Sequence, residues 1–175
     1  MSQQAVDPDE PRDPLLAIYD QALPQVYGYL LSRCGRVALA EDLTGQTFLA
    51  AVDAVRREVP PPISTAWLIG VARHKLVDHW RRQAREERGM QAVADNDPGI
   101  EDRWNVHLDG WAARATLERL GPHHRAALTL RYLDDLPVPE VATILRRTVH
   151  ATEGLLVRAR KAFRAAYLAE GDRDV

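Results

Sequence analysis

The sequence predicts an all-α protein: two small helical domains joined by an acidic linker, the C-terminal one carrying a helix-turn-helix. Three observations predict it. Apolar residues recur at three- and four-residue spacing through most of the 175 residues, which is the period of a helix with one buried face. No stretch has the two-residue alternation of a half-buried strand, and no segment repeats another. Charge is distributed in blocks, so the chain reads as modules.

Residues 1–14 are acidic, contain proline and have little apolar content, the composition of a disordered tail. The first domain spans residues 15–88. Its first helix runs from Leu15 to about Cys34 on Leu16, Tyr19, Leu23, Val26 and Leu30, with Pro24 as a candidate kink and Gly35 as a stop. A second helix, Leu39 to Arg57, has Phe48, Val52 and Val55 on one side. It opens with Glu41 and Asp42, whose carboxylates suit the positive end of a helix. Pro60, Pro61 and Pro62 break the chain, and Ser64 can cap a third helix from Thr65 to Arg88. That helix has two chemistries. Ile69, Ala72, Leu76 and the edge of Trp80 form an apolar stripe, while His74, Arg81, Arg85 and Arg88 line the other side near Trp67.

Residues 89–103 combine turn formers and acid and serve as a linker. The second domain, residues 104–170, starts with a helix from Trp104 to Leu120 that stops at Gly121. Pro122 then occupies a first helical turn, where a missing N–H costs nothing. Leu128, Leu130 and Leu133 continue that helix, and Asp134 to Pro137 turn the chain. Val138 to Leu145, a turn at Arg146-Arg147-Thr148, and a long helix from Val149 to about Ala169 have the lengths and order of a helix-turn-helix. Leu156, Ala159 and Phe163 should face its core.

The net charge of −2 is not that of a dedicated nucleic-acid binder, but its distribution is informative. Residues 56–90 hold eight cations against four carboxylates, and residues 111–175 hold eleven against eight. Residues 91–110 between them hold one cation and five carboxylates. Two polyanion-facing modules on an acidic connector fit this alternation. No apolar run is long enough to span a bilayer and no signal-peptide pattern follows Met1, so a cytoplasmic protein with no membrane insertion is expected. The single Cys34 can form no internal disulfide and lacks companions for a cysteine-based metal site; no metal or cofactor is expected. His74, Asp78, His79, His123 and His124 form the best candidate catalytic cluster, but their spacing does not place ligands on one helix face, and no nucleophile motif or phosphate loop accompanies them. The reading is therefore not an enzyme.

Three stretches in this order resemble the extracytoplasmic-function (ECF) class of bacterial sigma factors: AEDLTGQTFLAAV (Ala40 to Val52), AWLIGVARHKLVDHWRR (Ala66 to Arg82), and LERLGPHHRAALTLRYLDDLPVPEVATIL with VRARKAF (Leu117 to Leu145, Val157 to Phe163). The resemblance covers about Leu15 to Tyr167. It implies a sigma factor that binds core RNA polymerase and directs promoter-specific initiation by recognising −10 and −35 elements. On that resemblance Glu41, Asp42, Leu43 and Gln46 would dock on polymerase. Arg73, His74, Lys75, Trp80, Arg81 and Arg82 would hold the melting −10 DNA, where aromatics stack bases and cations track phosphates. The helix from Val149 would read the −35 duplex through His150, Ala151, Glu153 and Gly154, with Arg146, Arg147, Thr148, Arg158 and Lys161 positioning it. An anti-sigma protein is a further implied partner.

The chain departs from the family at informative places. Arg146 stands where glycine often opens the turn, and Glu153 and Leu155 stand where lysine and arginine are common early in the recognition helix. Arg146 is therefore expected to adopt a left-handed backbone. Gly45 and Gln46 replace Gln and Glu in the docking helix. The alternative reading is a dimeric helix-turn-helix regulator that binds duplex DNA without being a polymerase subunit. It explains Val138 to Lys161 equally well but not the basic, Trp-bearing helix of the first domain. A helical adaptor, for which both basic blocks are ordinary surface, is the third.

Overall fold

The structure is a computed structural model that describes residues 14–88 and 110–171. The predicted acidic tail, the linker and the start of the Trp104 helix lie outside the described residues. Seven α-helices follow in order: α1 Pro14–Cys34, α2 Val37–Val55, α3 Thr65–Arg88, α4 Gly110–Arg119, α5 Pro122–Leu128, α6 Val138–Leu145 and α7 Val149–Gly171. No strand occurs among the described residues.

Local chemistry sets the ends. Helix α1 runs through Pro24 and stops where Gly35 takes φ 68° and its N–H donates to the Leu31 carbonyl at 2.9 Å, a left-handed cap that glycine adopts without strain. The Ser64 hydroxyl accepts from the Trp67 N–H at 3.1 Å, and the Thr148 hydroxyl accepts from Ala151 at 3.1 Å, capping α3 and α7. Pro122 starts α5. That helix does not run on regularly through Leu133. Thr129–Leu133 is a π-helical turn, closed by the Asp134 N–H on the Thr129 carbonyl five residues back, at 3.0 Å. Asp135 then takes φ 50° and leads into the turn before α6.

Helices α1, α2 and α3 pack mutually. Their inner faces are Ala22, Val26 and Leu30; Ala40, Leu43, Phe48 and Ala51; and Leu68, Ala72, Leu76, Val77 and Trp80. Each fully buried large aliphatic side chain contributes ~1.5–3 kcal/mol. Thr44 and Thr47 are buried too, and their hydroxyls donate to the Ala40 and Leu43 carbonyls at 2.7 Å. The expected stripe of α3 is thus shifted slightly: Leu68 and Val77 complete it and Ile69 lies half-buried at its edge.

In the C-terminal unit α7 packs on α4, α5 and α6. Leu156, Ala159 and Phe163 face inward as expected, Phe163 stacking on Tyr167 at 5.9 Å. Leu128, Ala159 and Phe163 form a small cluster with Leu117 and Leu120. The rest of this unit's core is continuous with that of α1 to α3: Ala126, Ala127, Leu130, Val141, Leu145 and Leu156 belong to the same apolar cluster as Leu30, Leu76 and Trp80. Helix α5 lies against α3, so the two units form one closed body.

Candidate nucleic-acid interface

The turn between α6 and α7 is built as a C-cap. Arg146 takes φ 53°, ψ 49°; its N–H donates to Thr143 at 3.1 Å and the Arg147 N–H reaches back to Ala142 at 2.9 Å. These nested bonds close the last carbonyls of α6. Arg146 thereby holds the left-handed position that the sequence assigned to it, with its side chain exposed. Because Thr152, Leu155, Leu156 and Ala159 turn inward, the helical period turns Val149, His150, Glu153 and Lys161 outward. The His150 side chain is 95% exposed, with Nδ1 3.9 Å from Glu153 Oε2. Ala151, Gly154 and Arg158 lie half-buried beside this face, and the Arg158 guanidinium runs over Gly154. Arg147 is half-buried and Thr148 exposed at the head of the helix.

On α3 the predicted residues divide. His74 and Arg82 are exposed, Lys75 and Arg81 are half-buried, and Arg81 pairs with Asp78 at 3.1 Å. Trp80 is not on this face: it is 1% exposed in the core, its Nε1–H meeting no acceptor among the described residues, so it cannot stack on a base here. Arg73 faces the C-terminal unit, donating from Nε to Asp134 at 3.0 Å. His79, half-buried, has its pKa lowered by burial and by the cations Arg82 and Arg36, against Asp42 and Glu86.

On α2, Glu41 and Asp42 are exposed and Gln46 Nε2 donates to Asp42 at 2.8 Å. Leu43 is fully buried and belongs to the core, because one residue's step turns it about 100° away from Asp42. The apolar member of the exposed face is Leu49, 67% exposed, which sequence reasoning missed. Its spacing of seven from Asp42 was the available signal.

The family model for Sigma-70 region 2 matches residues 18–86, and that for Sigma-70, region 4 matches residues 111–163. The chain belongs to the ECF sigma factors. It is similar to the ECF RNA polymerase sigma factor BldN of Streptomyces coelicolor, 31% identical over 147 residues that cover 81% of this chain and 56% of that protein. It is also similar to the ECF RNA polymerase sigma factor SigM of Bacillus subtilis, 28% identical over 157 residues, covering 86% and 93%. The chain thus spans little more than half of the first relative and most of the second. Among solved structures, the sigma factor RpoE in its complex with the anti-sigma factor NepR from Bartonella quintana shares the fold, with TM-score 0.52 and 20% identity, over 86% of this chain and 94% of that one. Residues 18–86 hold α3 with its basic face, and residues 111–163 hold the helix-turn-helix. The two matched regions in this order do not favour the dimeric-regulator reading. No helix among the described residues is long and apolar enough to cross a membrane.

Proposed function

We propose that this sigma factor docks on core RNA polymerase through the outer face of α2 and reads a promoter with two separate helices. Glu41, Asp42, Gln46 and Leu49 combine carboxylates, an amide and one exposed apolar side chain, a surface suited to a basic, partly apolar helix. His74, Lys75, Arg81 and Arg82 of α3 meet the backbone of the −10 strand. Helix α7 enters the −35 major groove with His150, Ala151, Glu153 and Gly154 toward the bases, and Arg146, Arg147, Thr148, Arg158 and Lys161 toward phosphates. Glu153 is an acceptor for cytosine N4. The observation that carries this reading is the outward row His150, Glu153, Lys161 on a helix whose opposite side is locked into the core. Its place of action is the cytoplasm, and an anti-sigma protein is a further partner, as one is for the RpoE structure.

The experiment is transcription in vitro on genomic promoter fragments with the chain alone, core polymerase alone, and both. New start sites arise only in the combined reaction. Tight sequence-specific binding by the chain alone, without polymerase-dependent initiation, returns the dimeric regulator. Glu41→Lys with Asp42→Lys abolishes association with core polymerase while leaving the helical circular dichroism intact; persistence of association at moderate salt moves the docking role elsewhere.

A further inference from the structure

Asp134 is the point at which the two helical units are tied. Its carboxylate is 1% exposed and is held from three sides by residues of the N-terminal unit. Arg33 Nε donates to Oδ1 at 2.7 Å, Arg73 Nε to Oδ2 at 3.0 Å, and the Tyr29 hydroxyl to Oδ2 at 2.8 Å. The arginine is itself held: its guanidinium lies 3.9 Å from the centre of the Tyr29 ring, and it donates to the Ser32 hydroxyl at 2.8 Å and to the Leu133 carbonyl at 3.4 Å. Burial first, and the Asp134 charge second, push the Tyr29 hydroxyl up, so it stays a donor. A second contact lies at the end of α1, where the Glu118 carboxylate of α4 sits over Gly35. The π-helical turn ends at Asp134 and sets where its side chain points.

The apolar part of this junction joins Ala126, Ala127, Leu130, Val141, Leu145, Leu155 and Leu156 to the core of α1 to α3. Contacts of this kind between units of one chain resemble transient interfaces. A buried, fully satisfied ion cluster adds geometric selectivity more than net stability, since each charge was hydrated before closure. The ion cluster therefore makes the junction specific.

Closure conflicts with the proposed function in two ways. The −10 and −35 elements, taken at their nominal positions, lie about 25 base pairs apart, roughly 85 Å of duplex at ~3.4 Å per pair. The longest helix here, α3 with 24 residues, is only ~36 Å long. A body in which α5 packs on α3 cannot set α3 and α7 on both elements. Separated units can: residues 89–109, 21 in all, reach up to ~70 Å when extended. Closure also consumes Arg73. Two guanidinium Nε–H groups converging on one anionic group make the arrangement that binds a phosphodiester oxygen as well as a carboxylate.

We propose that Asp134 is an autoinhibitory latch, which holds the chain closed by occupying, in place of a DNA phosphate, the arginine pair Arg33 and Arg73. Release frees both arginines for the −10 strand and adds Arg33, outside the sequence-derived set, to the DNA-binding surface. The inference rests on the sigma-factor reading for what closure prevents, and on the intramolecular contact alone for whether closure occurs.

The test compares the full chain with Asp134→Asn, a near-isosteric change that removes the charge. Small-angle scattering reports the separation of the units, and fluorescence anisotropy with a labelled 12-nucleotide single strand reports phosphate binding. The substitution is expected to raise the radius of gyration by several ångströms and single-strand affinity about tenfold, with helical circular dichroism unchanged. In the Asp134→Asn background, Arg33→Gln should then lower single-strand affinity several-fold. If Asp134→Asn loses helix content, Tyr29→Phe, which removes one donor and no charge, is expected to give the same changes at smaller amplitude. A parent chain already as extended as the variants overturns the latch, and so does opening without a gain in single-strand binding. Opening with that gain, but without polymerase-dependent start sites, leaves the latch standing and removes the sigma-factor reading instead.

Discussion

Helices α3 and α7 have nearly the same length, 24 and 23 residues, and each anchors a basic block on an apolar core. Their outer faces differ. Helix α7 presents an open row, with His150 almost wholly in solvent and Glu153 and Lys161 exposed beyond it. Among its cations and histidines, helix α3 exposes His74, Arg82 and Arg85. Its Trp80 is sunk in the core and its Arg73 is taken by Asp134. The difference teaches that a basic helix is not by itself a binding surface: what its neighbours leave uncovered decides. In the closed chain the outer row of α7 is uncovered, whereas α3 has Arg73 engaged by Asp134.

The largest effect expected from this contrast concerns Trp80. If its role is packing, Trp80→Ala destabilises the fold by ~3–5 kcal/mol through transfer and cavity terms. Trp80→Phe costs much less, because Nε1 has no hydrogen bond to lose among the described residues. Thermal or urea unfolding measures both. A Trp80→Ala protein as stable as the parent but weak on single-stranded DNA would return this residue to the binding face.

On α7 the side chain to change is Glu153, which packs against nothing in the core and is expected to act in base choice. Glu153→Gln should leave the melting temperature nearly constant and alter preference at one position of the −35 element by about 1–3 kcal/mol. Binding to a set of single-base variants, with polymerase present, reads this directly. A uniform loss across all variants would instead make Glu153 a positioning residue.

Much of this architecture was legible in the sequence, and the failures have a common cause. Helix positions, the Gly35 stop, the Ser64 cap, the Pro122 start and the left-handed Arg146 all depend on one residue and its near neighbours, so local pattern suffices. Trp80 and Leu43 were misplaced because periodicity gives the angle of a face but not how wide a face the neighbouring helices cover. The π-helical turn at Thr129–Leu133 has no compositional mark; TLRYL suits an ordinary helix. The Asp134 cluster joins residues 61, 101 and 105 positions apart, a separation that no single-helix pattern encodes.

Arg146 offers a smaller test of the open helix. With φ at 53°, its Cβ is strained in a conformation that glycine occupies freely. Arg146→Gly should raise stability by up to ~1 kcal/mol, part of the relief being offset by the greater freedom of glycine in the unfolded chain. If the side chain also meets a phosphate, the same change lowers the salt dependence of promoter binding by about one ion. A clear loss of stability on melting would count against the strain.

The smallest effect concerns His79. His150 on α7 stands in solvent, whereas His79 on α3 is half-buried, with burial and then Arg82 and Arg36 holding its pKa below the ordinary value of 6.5. The unfolded chain therefore binds this proton more readily than the folded one. The stability associated with neutral His79 is fully present above that ordinary value and is lost as pH falls through it toward the folded value. Melting temperature should decline between pH ~7.5 and ~5.5, and His79→Gln should flatten the decline. A decline that His79→Gln leaves unaltered would assign it to another group.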